Sequence, residues 1–313
     1  MPRPDRLRPG GSSQPARPIS GLVPILATPF HADGSLDLDS LRRLTEFQLA
    51  SGVDGVAVFG MASEGFALTT SEREQILAAV TDVVAGSVPV VAGVNATSTV
   101  TAIEQARYAE AGGASALMVL PPFLVKPGPE QLMAFYRDVA AAVGIDVMVQ
   151  DAPAVTGVSM SPSLIVELSK LPGVTSVKIE APPTAPKVAA VVDALSDDDE
   201  FCVLGGQNAQ FCLEEYARGA VGTMPACEFS DLLAPVLADW QAGRRAEARA
   251  AFARLLPLIL FGLQQGIAWA VHKEVLVRRG LIADATVRAP AVPLSASDRA
   301  SLMTLLDDLE LAG

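Results

Sequence analysis

The chain has 313 residues, a formal net charge of −12, 50% hydrophobic residues and only 5% aromatic ones. That length suits a single α/β barrel, and the composition allows a large core that must be built from Ala, Val, Leu and Ile. The acidity argues against a phosphate-binding surface for nucleic acid and against a polybasic face for an anionic membrane, so neither partner is expected.

Residues 1–20 are rich in Pro, Arg, Gly and Ser and lack the apolar stretch of a signal peptide; they read as a disordered tail. Beyond them, short apolar runs begin near Leu22, Val53, Val88, Ala114, Ile145, Val174, Phe201 and Ala220, most of them about 26 to 35 residues apart. Such continuous runs are typical of strands buried on both faces of a parallel sheet. Helical patterns lie between them. Asp37 precedes an apolar-periodic stretch through Ala50, Thr70 opens a segment with Glu72 and Glu74 in its first turn, and Ser161 stands before Pro162 as an N-cap before a proline. Eight strand–helix units predict a (β/α)8 barrel over 21–228. A doubly wound open sheet is the alternative, but no Gly-x-Gly-x-x-Gly follows the first strand. After Ala226 the pattern is helical, near Asp231–Gln241, Arg244–Leu263, Ile267–Arg279 and Ser295–Leu309. This predicts a C-terminal helical region, 229–313, that caps the barrel and helps to assemble an oligomer. The longest apolar run, Leu255 to Leu263, is too short to span a bilayer.

Cys202, Cys212 and Cys227 are too few for a disulfide framework and indicate a reducing compartment, hence an expected cytoplasmic location. No cysteine pair has ligand spacing, and the two histidines, His31 and His272, are far apart in sequence. Neither a metal nor a cofactor is expected.

Active sites of such barrels lie at the C-terminal ends of the strands. Among Lys126, Lys170, Lys178, Lys187 and Lys273, only Lys178 falls in a strand pattern, within "TSVKIEA". A buried ammonium is costly unless paired or deprotonated, and desolvation is what turns a lysine into an amine nucleophile. A lysine snorkelling from a strand end is the alternative.

Several segments sharpen this expectation: "GLVPILATPFHADGSLD" at the start, "GMASEGFALTTSERE" after the second strand, "AGVNATST" after the third, "DAPAVTG" after the fifth and "VKIEA" at the sixth. Together they resemble the dihydrodipicolinate synthase / N-acetylneuraminate lyase family. The resemblance runs from about Gly21 to the C-terminus. It implies a class I lyase whose sixth-strand lysine, matched by Lys178, forms a Schiff base with a 2-keto acid. It also implies a small-molecule 2-keto acid substrate and a homo-oligomer, dimer or tetramer.

Departures from the family pattern bear on the reaction. The family usually carries Gly-Thr-Thr-Gly-Glu after the second strand, where this chain has Gly60-Met61-Ala62-Ser63-Glu64. Gln150 stands at the family's catalytic tyrosine position and Val155 at its arginine position. Tyr108, Tyr136 and Tyr216 all fall in helix patterns, and the loop after the fourth strand, Pro121-Pro122-Phe123-Leu124, lacks the tyrosine that the synthase branch contributes across an interface. Lysine biosynthesis is thus a poor fit. "MVQDAP" with "VKIEAP" resembles the 2-keto-3-deoxy-L-arabonate dehydratases. An aldolase of the same superfamily is the alternative, and a non-catalytic keto-acid-binding protein is a third, disfavoured by retention of Lys178.

In the dehydratase scheme, elimination across C3 and C4 of the imine needs an acid and a base. Glu180 shares the face of Lys178 by strand periodicity and is the leading candidate; a simple ion pair with the lysine is its alternative. Gln150 cannot titrate but can hydrogen-bond a substrate hydroxyl. The Ser63 hydroxyl and backbone N–H groups around Ala62 to Glu64 are candidates for the substrate carboxylate, while the Glu64 side chain reads as structural, near a helix start. Gly206 and Gln207 leave room for a polyol chain, Thr156 and Thr223 are weaker pocket candidates, Asp151 either faces solvent or fixes its loop, and His31 is a fallback proton carrier.

Overall fold

Eight short parallel strands form the frame: β1 (Gly21–Leu22), β2 (Val56–Val58), β3 (Val90–Val94), β4 (Ala116–Val119), β5 (Asp146–Asp151), β6 (Val174–Ile179), β7 (Cys202–Gly205) and β8 (Gly222–Thr223). They come from a computed structural model that describes residues 19–196 and 200–311. Strands β2 to β8 pair in sequence order, and β1 pairs with β8. The ring closes where Ile25 bridges both Ala57 and Ala226. This is a (β/α)8 barrel. β1 and β8 are shorter than their apolar runs because Pro24 and Pro225 have no N–H to donate to a ladder.

The described helices are α1 (Leu38–Ala50), α2 (Thr70–Val84), α3 (Thr99–Ala111), α4 (Pro129–Ala141), α5 (Pro153–Thr156), α6 (Pro162–Ser169), α7 (Thr184–Val192), α8 (Cys212–Tyr216), α9 (Ser230–Gln241), α10 (Arg245–Phe261), α11 (Ala268–Arg278) and α12 (Ala296–Asp308). Their starts follow local chemistry. The Asp37 carboxylate accepts the Ser40 N–H, the Ser161 hydroxyl accepts the Leu164 N–H, and Thr69 with Glu72 forms a capping box one residue before the expected start of α2. The last four helices lie within two residues of the expected boundaries.

Alternation along the strands divides the core in two. Val23, Ile25, Ala57, Val91, Ala116, Met118, Met148, Leu204 and Met224 fill the barrel interior. Their strand neighbours, among them Val56, Val58, Val147, Val149, Val177, Ile179 and Val203, pack outward against the helices. Ile19, assigned to the tail by composition, is buried in the interior cluster. The rest of that tail, residues 1–18, lies outside the described residues. No described helix is long and apolar enough to cross a membrane.

Candidate active site

Inward alternation places Ser176 and Lys178 of β6 inside the barrel, because Val177 and Ile179 pack outward. In β5, Met148 points inward and so does Gln150, which sits in register with Lys178. Glu180 lies one residue past β6, yet its N–H still donates to the Asp151 carbonyl, so the ladder carries the alternation one step further. Lys178 is 4% exposed and Gln150 1%.

Three groups converge on the Glu180 carboxylate. Lys178 Nζ lies 3.2 Å from Oε1, the Gln207 N–H donates to the same oxygen at 3.3 Å, and the Gln150 amide donates to Oε2 at 2.7 Å. Burial pushes the Glu180 carboxyl up, but the Lys178 ammonium, the Gln150 amide and the Gln207 N–H outweigh it and hold the group below the usual glutamate value. The loop after β7 is shaped for this grip. A Cβ at Gly206 would collide with the Glu180 side chain, so only glycine fits there. Gln207, Asn208 and Ala209 then run left-handed at φ of 47°, 53° and 61°, a backbone costing about 1–2 kcal/mol per residue for side chains of this kind. Asn208 braces the turn by accepting the Ala226 N–H at 3.0 Å and donating to the Ile259 carbonyl at 3.2 Å. The Gln207 amide donates to the Glu180 carbonyl at 2.7 Å.

The loop after β2 is built differently from expectation. Ser63 is buried and its Oγ has no partner among the described residues, while its N–H is donated to the Gly60 carbonyl. Ala62 packs on the interior cluster. The structure corrects Glu64. Its carboxylate pairs with the Lys273 ammonium and accepts the Arg288 N–H at 2.8 Å, and its own N–H donates to the Met61 carbonyl. No part of Glu64 is left for a substrate carboxylate. Thr156 is corrected likewise, since its hydroxyl donates to the Ala152 carbonyl at 3.0 Å and accepts the Val158 N–H at 3.1 Å, inside its own turn. Thr223 occupies the outward position next to inward Met224, so it faces the helices. His31 is exposed, 4.0 Å from Asp37 on the turn after β1. Among the described residues, no hydrogen bond or ion pair joins Ser63 to the Lys178–Glu180 cluster.

Sequence spacing missed two paired amines, Lys187, which is half-buried, and Lys273, which is buried. Asp151 is fully buried and pairs with Lys187 of α7 at 2.6 Å, so it neither faces solvent nor merely fixes a loop. Burial pushes its carboxyl up and Lys187 offsets this only in part. Lys273, on α11, is 1% exposed. Burial lowers it to about 8 against the pull of Glu64. Burial of a lysine is therefore not diagnostic here; what distinguishes Lys178 is its place on the inward face of a strand end, beside an inward carboxylate. The three tyrosines lie in α3, α4 and α8, and the Tyr136 hydroxyl is spent on the Val119 carbonyl at 3.0 Å. No described cluster of three or more His, Cys, Asp or Glu side chains could hold a metal ion.

Comparison with known proteins shows the family. L-2-keto-3-deoxyarabonate dehydratase of Azospirillum brasilense is 32% identical over 295 residues, covering 93% of this chain and 94% of that one. The 4-hydroxy-tetrahydrodipicolinate synthase of Pseudomonas aeruginosa is 33% identical over 273 residues, covering 84% and 91%. The crystal structure of dihydrodipicolinate synthase from Rhodopseudomonas palustris superposes with a TM-score of 0.87 at 31% identity, covering 92% of this chain and 97% of that one. Residues 18–309 match the Dihydrodipicolinate synthetase family, and the chain belongs to that family as a lyase of the class I Schiff-base kind.

Proposed function

We propose that this lyase dehydrates a 2-keto-3-deoxy sugar acid, with Lys178 as the Schiff-base amine and Glu180 as the group that moves protons. The observation that carries the proposal is the grip on Glu180: an inward carboxylate 3.2 Å from Lys178 Nζ, fixed by Gln150 and the Gln207 N–H. The nucleophile must be the free amine, and Glu180 Oε1 is placed to take the ammonium proton. The amine adds to the C2 ketone, and Glu180 returns the proton to the carbinolamine hydroxyl, which leaves as water; this restores the carboxylate and gives a protonated imine whose positive nitrogen withdraws electrons from C3. Glu180 then removes a C3 proton to form an enamine and, now carboxylic acid, returns a proton to the departing C4 hydroxyl. Hydrolysis of the resulting unsaturated imine frees Lys178. Gln150, which replaces a tyrosine of the family pattern, holds Glu180 and offers its remaining amide atoms to a substrate hydroxyl. Ser63 Oγ, buried and unpartnered, suits one oxygen of the substrate carboxylate.

The similarity to the Azospirillum dehydratase favours water loss and makes 2-keto-3-deoxy-L-arabonate the first substrate to try. The aldolase alternative uses the same imine but breaks the C3–C4 bond and releases pyruvate. Incubation with a panel of 2-keto-3-deoxy acids, followed by proton NMR for dehydrated product and for pyruvate, separates the two. Pyruvate as sole product refutes the dehydratase assignment. Borohydride reduction in the presence of substrate is expected to fix an adduct on Lys178, and peptide mapping to another lysine refutes the Schiff-base assignment. A protein that gives neither adduct nor product with any member of the panel is a binder instead.

A further inference from the structure

One buried acid takes no part in the scheme above. Glu215, on α8, is 1% exposed, and neither carboxylate oxygen has a hydrogen-bond partner among the described residues. A Cβ on Gly205 would collide with it, just as a Cβ on Gly206 would collide with Glu180. Successive residues of a strand present opposite faces. Leu204 points inward and Val203 outward, so Gly205 faces the helix layer and Gly206 the interior. The two carboxylates therefore press on opposite sides of a two-glycine backbone that has no side chain to hold them apart.

The groups around Glu215 leave it few ways to lose its charge to a partner. From β6 the facing group is Glu180. From α7 comes the Thr184 hydroxyl, while the lysine of that helix, Lys187, is paired with Asp151. From α8 itself come Cys212 and Tyr216, both pushed far up by burial and so neutral at physiological pH. Glu214, its neighbour in sequence, points to solvent with Arg218. A buried carboxylate without a cation favours its neutral form. Burial, with the Glu180 charge adding to it against the pull of Thr184, lifts Glu215 to about 7.

We infer that Glu215 is a titrating positioning residue of this site: its ionisation, felt across the Gly205–Gly206 backbone, makes Glu180 a stronger base and so sets the pH range in which Glu180 moves protons. The inference rests on the assignment of Lys178 and Glu180 made above. With Glu215 protonated, Glu180 is held acidic by Lys178, Gln150 and Gln207. With Glu215 ionised, like-charge repulsion raises the proton affinity of Glu180 while leaving it ionised.

The test reads Glu180 without requiring the natural substrate. Pyruvate bound as an imine on Lys178 exchanges its methyl protons with deuterium oxide when a base removes one and returns a deuteron, and NMR follows the rate. In the wild-type protein the exchange rate should rise roughly three- to tenfold through a limb between pH 6 and 8. Glu215→Gln should flatten that limb while borohydride still traps pyruvate on Lys178, and Glu215→Asp, which restores the carboxyl on a shorter side chain, should bring back a limb at a displaced pH. A flat wild-type profile overturns the inference, and so does an unchanged limb in Glu215→Gln. If Glu215→Gln does not fold, the Glu215→Asp profile decides alone: a limb at the wild-type position overturns the inference, a displaced limb supports it. Absence of both adduct and exchange in the wild-type protein at every pH overturns the underlying lyase assignment instead.

Discussion

Replacing Glu180 by glutamine is the sharpest test of the proposed chemistry. The substitution removes the titratable group and keeps its shape. Lys178 Nζ and the Gln207 N–H both address Oε1, at 3.2 and 3.3 Å, and the Gln150 amide addresses Oε2 at 2.7 Å. A glutamine can keep its oxygen toward Lys178 and Gln207, which leaves its NH2 facing the NH2 of Gln150. Gln150 relieves that clash of donors by rotating its own amide and presenting its oxygen. The local packing therefore survives, and the Gly206 gap that accommodates the Glu180 side chain is still filled. What is lost is the proton carrier, for which the typical cost is about 10²–10⁴ in kcat, or roughly 3–5 kcal/mol of barrier. The assay is product formation from 2-keto-3-deoxy acids by NMR, with borohydride trapping as the control for imine formation. The expected result is a trapped adduct with kcat reduced by that factor. Turnover within about threefold of wild type refutes the role of Glu180 and moves the proton to Ser63, a water or the substrate's own carboxylate.

Three other outcomes follow from particular contacts. With pyruvate and aspartate semialdehyde, condensation measured by ring-product absorbance should be negligible, because Val155 is a half-exposed apolar side chain that cannot grip a carboxylate and Gln150 cannot relay a proton. Lys273→Met should destabilise the fold by about 3–5 kcal/mol in urea unfolding, because it leaves Glu64 buried without its cation; a loss under about 1 kcal/mol contradicts this. Glu215→Gln should raise stability at pH 8 but not at pH 4.5. The folded protein keeps this proton up to about 7 whereas the unfolded chain releases it near 4.5, so wild-type stability falls as pH rises through that window, by up to roughly 3 kcal/mol. An equal effect of the substitution at both pH values counts against a neutral buried Glu215.

The barrel was legible because continuous apolar runs and capped helical stretches repeat along the chain, and each depends on neighbours a few residues away. The Lys178–Glu180 pair was legible for the same reason, since two residues on one strand share a face whatever the rest of the fold does. The partners that take Glu64 and Thr156 away from a substrate were not legible, because they are not local in the same way. Glu64 is claimed by residues more than 200 positions later, and the Thr156 hydroxyl is consumed by a one-turn helix that periodicity cannot resolve. Lys187 and Lys273 were overlooked on similar grounds. A lysine in a helix pattern reads as solvated, and only the folded arrangement brings Lys187 to Asp151 and Lys273 to Glu64.

The C-terminal region braces the loop after β2. The Trp269 indole donates to the Met61 carbonyl at 2.7 Å, Lys273 pairs with Glu64, and Arg288 donates to the Ala67 carbonyl at 3.0 Å and to both Glu72 oxygens. These contacts hold both ends of the loop that carries Ala62 and Ser63. Glu64 itself is left-handed at φ 52°, a conformation that costs free energy and persists where neighbours over-determine it. The loop departs from the family's threonine pattern, yet its glutamate remains, and the structure gives the reason: that residue anchors the loop to α11 rather than meeting the substrate. The Ser63 hydroxyl, unpartnered and fixed from behind, then owes its position to residues from the opposite end of the chain. If Ser63 receives the substrate carboxylate as proposed, loosening that anchor should reach the substrate before it reaches the imine, because the hydrogen bonds and ion pair that fix Lys178 and Glu180 come from Gln150 and Gln207 and from each other, not from Trp269, Lys273 or Arg288.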